Sequence, residues 1–406
     1  MWHHEGSRML KSLVVDGFRS FRHAEIALEP VTVLVGPNGA GKTNLACALQ
    51  TFATLLRTPL YGAGGVEIDF DGLGFDQLTF GLRSDTPWRF NAVFEDEEAV
   101  GGYDITVRRL DGAIRIEREF LRYQPRAAGA PMSVVPTPRE AQQPTGTRPY
   151  QWPTTRSLPL MLDRLVSERL DSSEVDPVRW LRRQLPWATR YAPDPAVMRS
   201  SPLEAPAPLP ANGFGLPAVL RQSKDRAVSP FPAIVDKLRE AVDFVEAIGF
   251  VTADQNVELE FKVRGVVAPL PAAAMSDGTL MALFFAWVTE TAGPGGLLVL
   301  EDLERSVHPY LYGKVLEWIE AMAERSATQV ILSTHSPLFV NAACGGKLER
   351  LRIVERTDDT GTTITKLVPP SDEELGRALE LYAEAPGTLW YSGGLGGFPS
   401  EPSARQ

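Results

Sequence analysis

Residues 31–43 read VTVLVGPNGAGKT, a β-branched run followed by three glycines, a lysine and a threonine. Runs like VTVLV are buried on both faces, as in the middle of a parallel sheet. The next residues, NLACALQTFATLLR (44–57), carry apolar side chains at helical spacing. Strand, glycine-rich turn and helix, in that order, place the turn at a helix N-terminus. The glycines let backbone N–H groups curl around an anion, and the helix dipole favours negative charge there. Gly36, Pro37, Asn38, Gly39, Ala40, Gly41, Lys42 and Thr43 fit G-x-x-x-x-G-K-[ST], with Asn44 following. Lys42 brings a mobile charge to the β- and γ-phosphate oxygens, and the Thr43 hydroxyl is placed to ligate Mg²⁺. The expectation is a site for ATP with Mg²⁺.

LLVLEDLERSVHP (297–309) supplies a second half. Mg²⁺ takes hard oxygen ligands and keeps several waters, so a carboxylate at the C-terminal end of a strand holds it directly or through water. With Leu297 to Leu300 filling the strand, Glu301 falls beside the metal and Asp302 faces the γ-phosphate as base for the attacking water. Glu304, two positions on, is a further catalytic candidate that could compensate for a short base. STHSP (333–337) comes after QVIL, which puts His335 at a strand end, where it can bond a γ-phosphate. His308 is a weaker candidate, for a structural or partner-facing role. In MSDGT (275–279), Ser276 or Asp277 can cap the helix that opens there, and Gly278 lets backbone approach closely.

Only Cys47 and Cys344 are present, with no CxxC pair, which fits a reducing cytoplasm. MALFFAWV (281–288) is far too short to cross a bilayer, and MWHHEGSRML lacks the apolar core of an export signal. Neither a membrane partner nor secretion is expected. The formal charge of −10 argues against general nucleic-acid affinity, although residues 101–230 carry a local +6. Residues 125–232 hold 19 of the chain's 33 prolines, so most of that stretch is expected to be loop, extended arm or short helix. RSLPLMLDRLVSERL and VRWLRRQL are its two predicted helices. Downstream, PAIVDKLREAVDFVEAI (232–248) reads as a helix and VELEFKV (257–263) as a strand. A helix around 278–291, strand 296–300, helix 311–326 and strand 329–333 follow. That alternation predicts an α/β fold.

GFRSF, GPNGAGKTNL, MSDGTLMALFFAW, LLVLEDLERSVHP and ILSTHSPLFV, in this order, resemble the ABC-type ATPase heads of the RecF/SMC class. The resemblance is greatest to the stand-alone branch related to the OLD-family (overcoming lysogenization defect) ATPases, and the looser RYAPDPAVMR, NGFGLPAVL and LWYSGGLGG also sit where that family has them. It implies a P-loop NTPase of ABC/RecF/SMC head type with a mixed β-sheet and a Pro-rich, partly helical insertion. The boundaries expected are a tail (1–8), an N-lobe with Walker A (9–100), the locally basic insertion (101–231), a C-lobe with signature, Walker B and switch histidine (232–370), and a C-terminal helix and tail (371–406).

The resemblance further implies a homodimer or larger assembly closed by ATP, in which Ser276, Asp277 and Gly278 of one chain cover the γ-phosphate held by the other. It implies a separate, nuclease-like effector in defence against phage or foreign DNA. A RecF-like repair ATPase whose insertion holds DNA, and a scaffold with structural ATP, are the alternatives. Gln77, in FDQLTF, is the candidate glutamine-loop ligand of the metal. Within the insertion, VRWLRRQLPWATR interleaves arginines with Trp180 and Trp187, a pattern that suits nucleic acid or an amphipathic packing helix. Glu301-Asp302 inverts the usual Asp-Glu order. The base is therefore shorter by one carbon–carbon bond, roughly 1.5 Å, and misplacement of about 1 Å can cost on the order of a hundredfold in rate. A slow ATPase is expected.

Overall fold

The computed structural model describes residues 9–62, 65–70, 72–83, 85–127, 131–136, 155–162, 172–184, 187–253, 255–357, 361–366, 380, 382 and 385–395. The expected tail 1–8, the later part of RSLPLMLDRLVSERL and nearly all of the 371–384 helix lie outside these residues. Along the chain run β1 (Met9–Phe18), β2 (Phe21–Ala27), β3 (Val31–Val35), α1 (Lys42–Arg57) and the short α2 (Phe75–Leu78). Next come β4 (Trp88–Glu95), β5 (Ala99–Leu110), β6 (Ala113–Pro125), β7 (Ser133–Pro136), α3 (Ser172–Gln184), β8 (Ala188–Tyr191) and β9 (Ser200–Pro202). Then follow α4 (Leu216–Lys224), α5 (Phe231–Ala241), β10 (Val245–Ala253), β11 (Asn256–Val263), β12 (Leu270–Pro271) and α6 (Asp277–Thr291). The last are β13 (Leu297–Leu300), α7 (Tyr312–Ser326), β14 (Gln329–Ser333), α8 (Pro337–Cys344), β15 (Leu351–Thr357), β16 (Gly361–Lys366) and α9 (Pro386–Tyr391).

One mixed sheet of twelve strands, ordered β7-β6-β5-β4-β1-β2-β16-β15-β3-β14-β13-β8, organises the molecule. From β15 to β8 the pairings are parallel; from β7 to β2 they are antiparallel. The sequence shows why. β3, β13 and β14 are buried along their whole length, whereas β4 alternates buried and less buried positions. A smaller sheet pairs β10, β11 and β12, with β9 on β11. Two cores result. One packs α1 against the antiparallel strands and includes Phe52, Trp88, Phe90 and Trp180. The other packs α6, α7 and α8 on the opposite face. β13 serves both, sending Leu297 and Val299 into the first and Leu298 and Leu300 into the second.

Two expectations are corrected. The helix read over 232–248 stops at Ala241, and Val245–Ala253 is a strand paired with β11. Val245 and Ile248 are buried there, and pairing with a neighbouring strand outweighs the helical spacing. Residues 101–125, counted with the insertion, instead form most of β5 and β6, turned at Asp111 and Gly112, both at positive φ (51° and 78°). Asp-Gly suits a two-residue hairpin turn, a signal hidden when this stretch is averaged with the proline-rich residues after it.

Candidate nucleotide site

β3 delivers the chain into Gly36 beside β15. A Cβ on Gly36 would sit 2.2 Å from the Val354 carbonyl oxygen, and φ is +153°, so only glycine fits. Gly39 (φ +77°) and Gly41 (φ +118°) complete the turn, and Gly41 caps α1 without a side-chain bond. Among the described residues the amides of the first helical turn have no side-chain acceptor, which is the arrangement an anion needs. Ala40 is buried under the turn, while Asn38 is exposed. Lys42 is 6% exposed, and its Nζ donates to the carbonyls of Gly36 (2.7 Å) and Pro37 (3.2 Å). Burial lowers its pKa to about 8, against the opposing pull of Asp302, Glu304 and Glu301. Asn44 accepts from Arg19 at 3.1 Å and donates to the Ser20 hydroxyl at 2.6 Å, tying α1 to the β1–β2 turn. Beyond it a cavity of about 160 Å³ runs along α1, lined by Arg19, Cys47, Gln50, Thr51, Asp69 and Phe70 among others.

The alternation of β13 sends its odd-numbered side chains toward α1, and Glu301 continues that face. Thr43 Oγ1 donates to Glu301 Oε2 at 3.1 Å. Arg190 Nε, from β8, donates to the other oxygen, Oε1, at 3.0 Å. Asp302 is exposed with φ +51°, and its N–H donates to Ser333 Oγ at 3.3 Å. Glu304 turns back into the site, accepting from Thr334 Oγ1 at 2.7 Å and from the His335 N–H at 2.6 Å. It thus fixes the backbone that carries His335. Burial, then the Lys42 charge, lowers the His335 pKa, which keeps the imidazole neutral near pH 7.

Ser276 caps α6, accepting from the Thr279 N–H at 3.3 Å, and Asp277 pairs with Arg199 at 2.5 Å. Gly278 lies against the 301–306 turn, since a Cβ there would come 3.0 Å from the Ser306 oxygen. Among the described residues no hydrogen bond or ion pair joins this trio to the 36–43 loop of its own chain. Gln77 Oε1 accepts from the Gly74 N–H at 3.0 Å on α2, with no bond to the loop or to Glu301 among the described residues. His308 Nδ1 accepts from the Tyr310 N–H at 3.2 Å, closing a turn ahead of α7.

Two arginines were missed as site residues: Arg190, which reads only as an insertion arginine in sequence, and Arg199. The RYAPDPAVMR stretch holding both was the available signal. The tryptophans interleaved with the basic helix are occupied by packing. Trp180 is 0% exposed and donates from Nε1 to Asp96 at 2.9 Å. Trp187 lies over Gly296, where a Cβ would come 2.0 Å from the indole. Arg179 and Arg183 pair with Asp176 and Glu98. Trp180 is thus unavailable for stacking on bases.

A Mg²⁺ ion fits the residues present. Thr43 and Glu301 already place a hydroxyl and a carboxylate oxygen in contact, and in such sites phosphate oxygens and water complete the shell. No group of three or more His, Cys, Asp or Glu able to hold a metal occurs among the described residues.

A family model described as "AAA domain, putative AbiEii toxin, Type IV TA system" matches residues 31–341. The chain belongs to this family. It is also 22% identical over 374 residues, 88% of this chain, to an OLD nuclease of Thermus scotoductus, but spans only 64% of that protein's length. A short stretch of 47 residues, 11% of the chain and 12% of the relative, is 53% identical to a DNA replication and repair protein RecF of Arthrobacter. Among solved structures, an Smc head bound to the C-winged helix domain of ScpA superposes with a TM-score of 0.50 at 15% identity, covering 88% of this chain and 98% of that one. The fold is that of an SMC head, and the AAA-domain chain is similar in sequence to the OLD nuclease. No described helix is long and apolar enough to cross a membrane.

Proposed function

We propose that this protein binds ATP with Mg²⁺, closes with a second copy around it, hydrolyses it slowly, and uses the closed state to control a separate effector. The observation that carries the reading is the meeting of Thr43 and Glu301 at the mouth of an uncapped, glycine-built helix N-terminus. The loop amides and Lys42 would take the phosphates, and the cavity beside Arg19, Gln50 and Asp69 would take the base and ribose. Magnesium held by Thr43 and Glu301 would supply charge neutralisation at the phosphate oxygens; Gln77 would serve only after leaving its bond to Gly74. Asp302, exposed at the rim, receives the proton of the attacking water, and Glu304 holds His335 toward the γ-phosphate. Ser276, Asp277 and Gly278, unconnected to their own chain's loop, close over the nucleotide of the partner copy.

The OLD nuclease relative supports a nuclease-like effector, the resemblance to OLD-family ATPases supports a role in defence against phage or foreign DNA, and the two cysteines, with no CxxC pair, fit the cytoplasm. The test is size-exclusion chromatography with ATP and Mg²⁺, followed by turnover measurement. ATP should shift the protein to a dimer or larger assembly, and Lys42→Ala and Ser276→Arg should each abolish the shift. Assembly that persists unchanged in Lys42→Ala would favour a scaffold.

A further inference from the structure

The proposed metal carboxylate is shared. One oxygen of Glu301 receives Thr43, and the other receives the Arg190 guanidinium at 3.0 Å, with the two side chains only 16% and 7% exposed. Arg190 is not held there by chance. β8 runs parallel to β13 with Arg190 opposite Val299, and the Glu301 N–H donates to the Tyr191 carbonyl at 2.8 Å. A divalent cation on Glu301 must therefore draw on a charge already engaged by a buried arginine. The two cations compete through one carboxylate, where low polarity strengthens both attraction and repulsion.

The same segment ends on the loop before Ser276. Arg199 donates to the carbonyls of Ala272 and Met275, the latter at 3.1 Å, and pairs with Asp277 at 2.5 Å. Between the arginines, the Ala192 and Asp194 N–H groups donate to the carbonyls of Ala211 and Asn212, and beyond them β9 is pinned to β11. Residues 190–199 thus form a strap with one cationic end on the metal carboxylate and the other on the loop that carries Ser276.

We infer that Arg190 is a positioning residue that opposes metal binding at Glu301 and, through the strap, transmits the arrival of the metal to the 272–278 loop. The inference rests on the nucleotide reading above. Coupling of this kind is reciprocal: if the metal loosens Arg190, Arg190 must weaken the metal by the same factor.

The test uses the full chain with a fluorescent ADP, which lacks the γ-phosphate needed for closure of two copies, titrated with Mg²⁺. Arg190→Gln should lower the half-saturating Mg²⁺ roughly fivefold or more, within the usual span of such couplings. Arg190→Lys, which keeps the charge, should stay near wild type. Hydrogen exchange over 272–280 should change on adding Mg²⁺ to the wild type and the Lys variant, but not to Arg190→Gln. Arg199→Gln, which leaves the partners of Glu301 intact, should also silence the loop's response and serves if Arg190→Gln does not fold. Metal affinity unchanged or weakened in Arg190→Gln overturns the inference. So does a 272–280 loop that responds to metal in the Gln variants as it does in the wild type. Failure of the wild type to bind the fluorescent ADP at all would instead count against the proposed function.

Discussion

Thr43 and Glu301, 258 residues apart in the chain, are joined by a 3.1 Å hydrogen bond. It sets a hydroxyl from the first turn of α1 against a carboxylate from the end of β13. Thr43→Val removes the hydroxyl and little else. Affinity for nucleotide in the presence of Mg²⁺ should fall by about tenfold or more, the scale on which metal sites respond to a lost supporting group. Affinity measured in EDTA should hardly move. Equal losses with and without metal would show that Thr43 contacts phosphate alone.

Asp302 and Glu304 separate in the structure, one exposed at the rim and the other engaged with Thr334 and His335. Asp302→Ala should cut turnover by about a hundredfold, the range expected for losing a positioned base, while bound ATP is retained. Glu304→Ala should leave more turnover than that, because it loosens His335 without removing the base. Single-turnover assays with radiolabelled ATP distinguish them. Turnover that survives Asp302→Ala and disappears in Glu304→Ala would move the base two residues along.

At Gly36 the obstacle to a side chain is backbone: a methyl group there would stand 2.2 Å from the Val354 carbonyl oxygen. Gly36→Ala must displace β15 or the loop itself. It should destabilise the fold by about 1–3 kcal/mol or more and remove nucleotide binding. Thermal unfolding reads the first effect, and a melting temperature equal to wild type would refute it.

Buried acids, Cys344 and Tyr191 among them, limit stability at alkaline pH. Burial pushes the Cys344 thiol from its ordinary 9.0 to about 12, and the Tyr191 phenol from 10.0 to about 12. Both stay protonated in the folded protein where the unfolded chain has lost the proton. Their contribution to stability is therefore complete below pH 9 and declines as pH rises toward 12. Between pH 8 and 10.5 the lowered Lys42 pKa works in the opposite direction, so unfolding midpoints should fall between pH 10.5 and 12, and Cys344→Ala should flatten part of that slope. A midpoint independent of pH in that window would contradict the assignment. Cys344 should also resist thiol reagents at pH 8 until the protein unfolds.

The phosphate-loop unit and the strand ending in Glu301 were legible because each is written in consecutive residues with a strong period. The register of β13 even gave the side on which Glu301 emerges. What escaped was non-local. Arg190 acquires meaning only when β8 is laid beside β13, and the bonds of Glu304 to Thr334 and His335 only when the turn after β14 folds against it. Residues 245–248 keep helical spacing in sequence and become part of a strand because β11 is there to pair with them. The 101–125 hairpin was masked by the prolines that follow, although its Asp-Gly turn lay in plain view.

The position of β3 in the sheet governs when the nucleotide site can exist. Its two neighbours are β14 and β15, so Val31–Val35 has no hydrogen-bonded strand beside it until residues 329–357 are available. During synthesis the β1, β2, β4, β5 and β6 ladder can pair from contacts close in sequence, while the glycine loop between them waits for the far end of the chain. Pairings so distant are slow to form and expose apolar strands in the meantime. A nucleotide held at that loop would therefore stabilise the protein only after the last parallel strands dock. A nascent chain halted before β14 would present VTVLV, uncovered, to chaperones and to its neighbours.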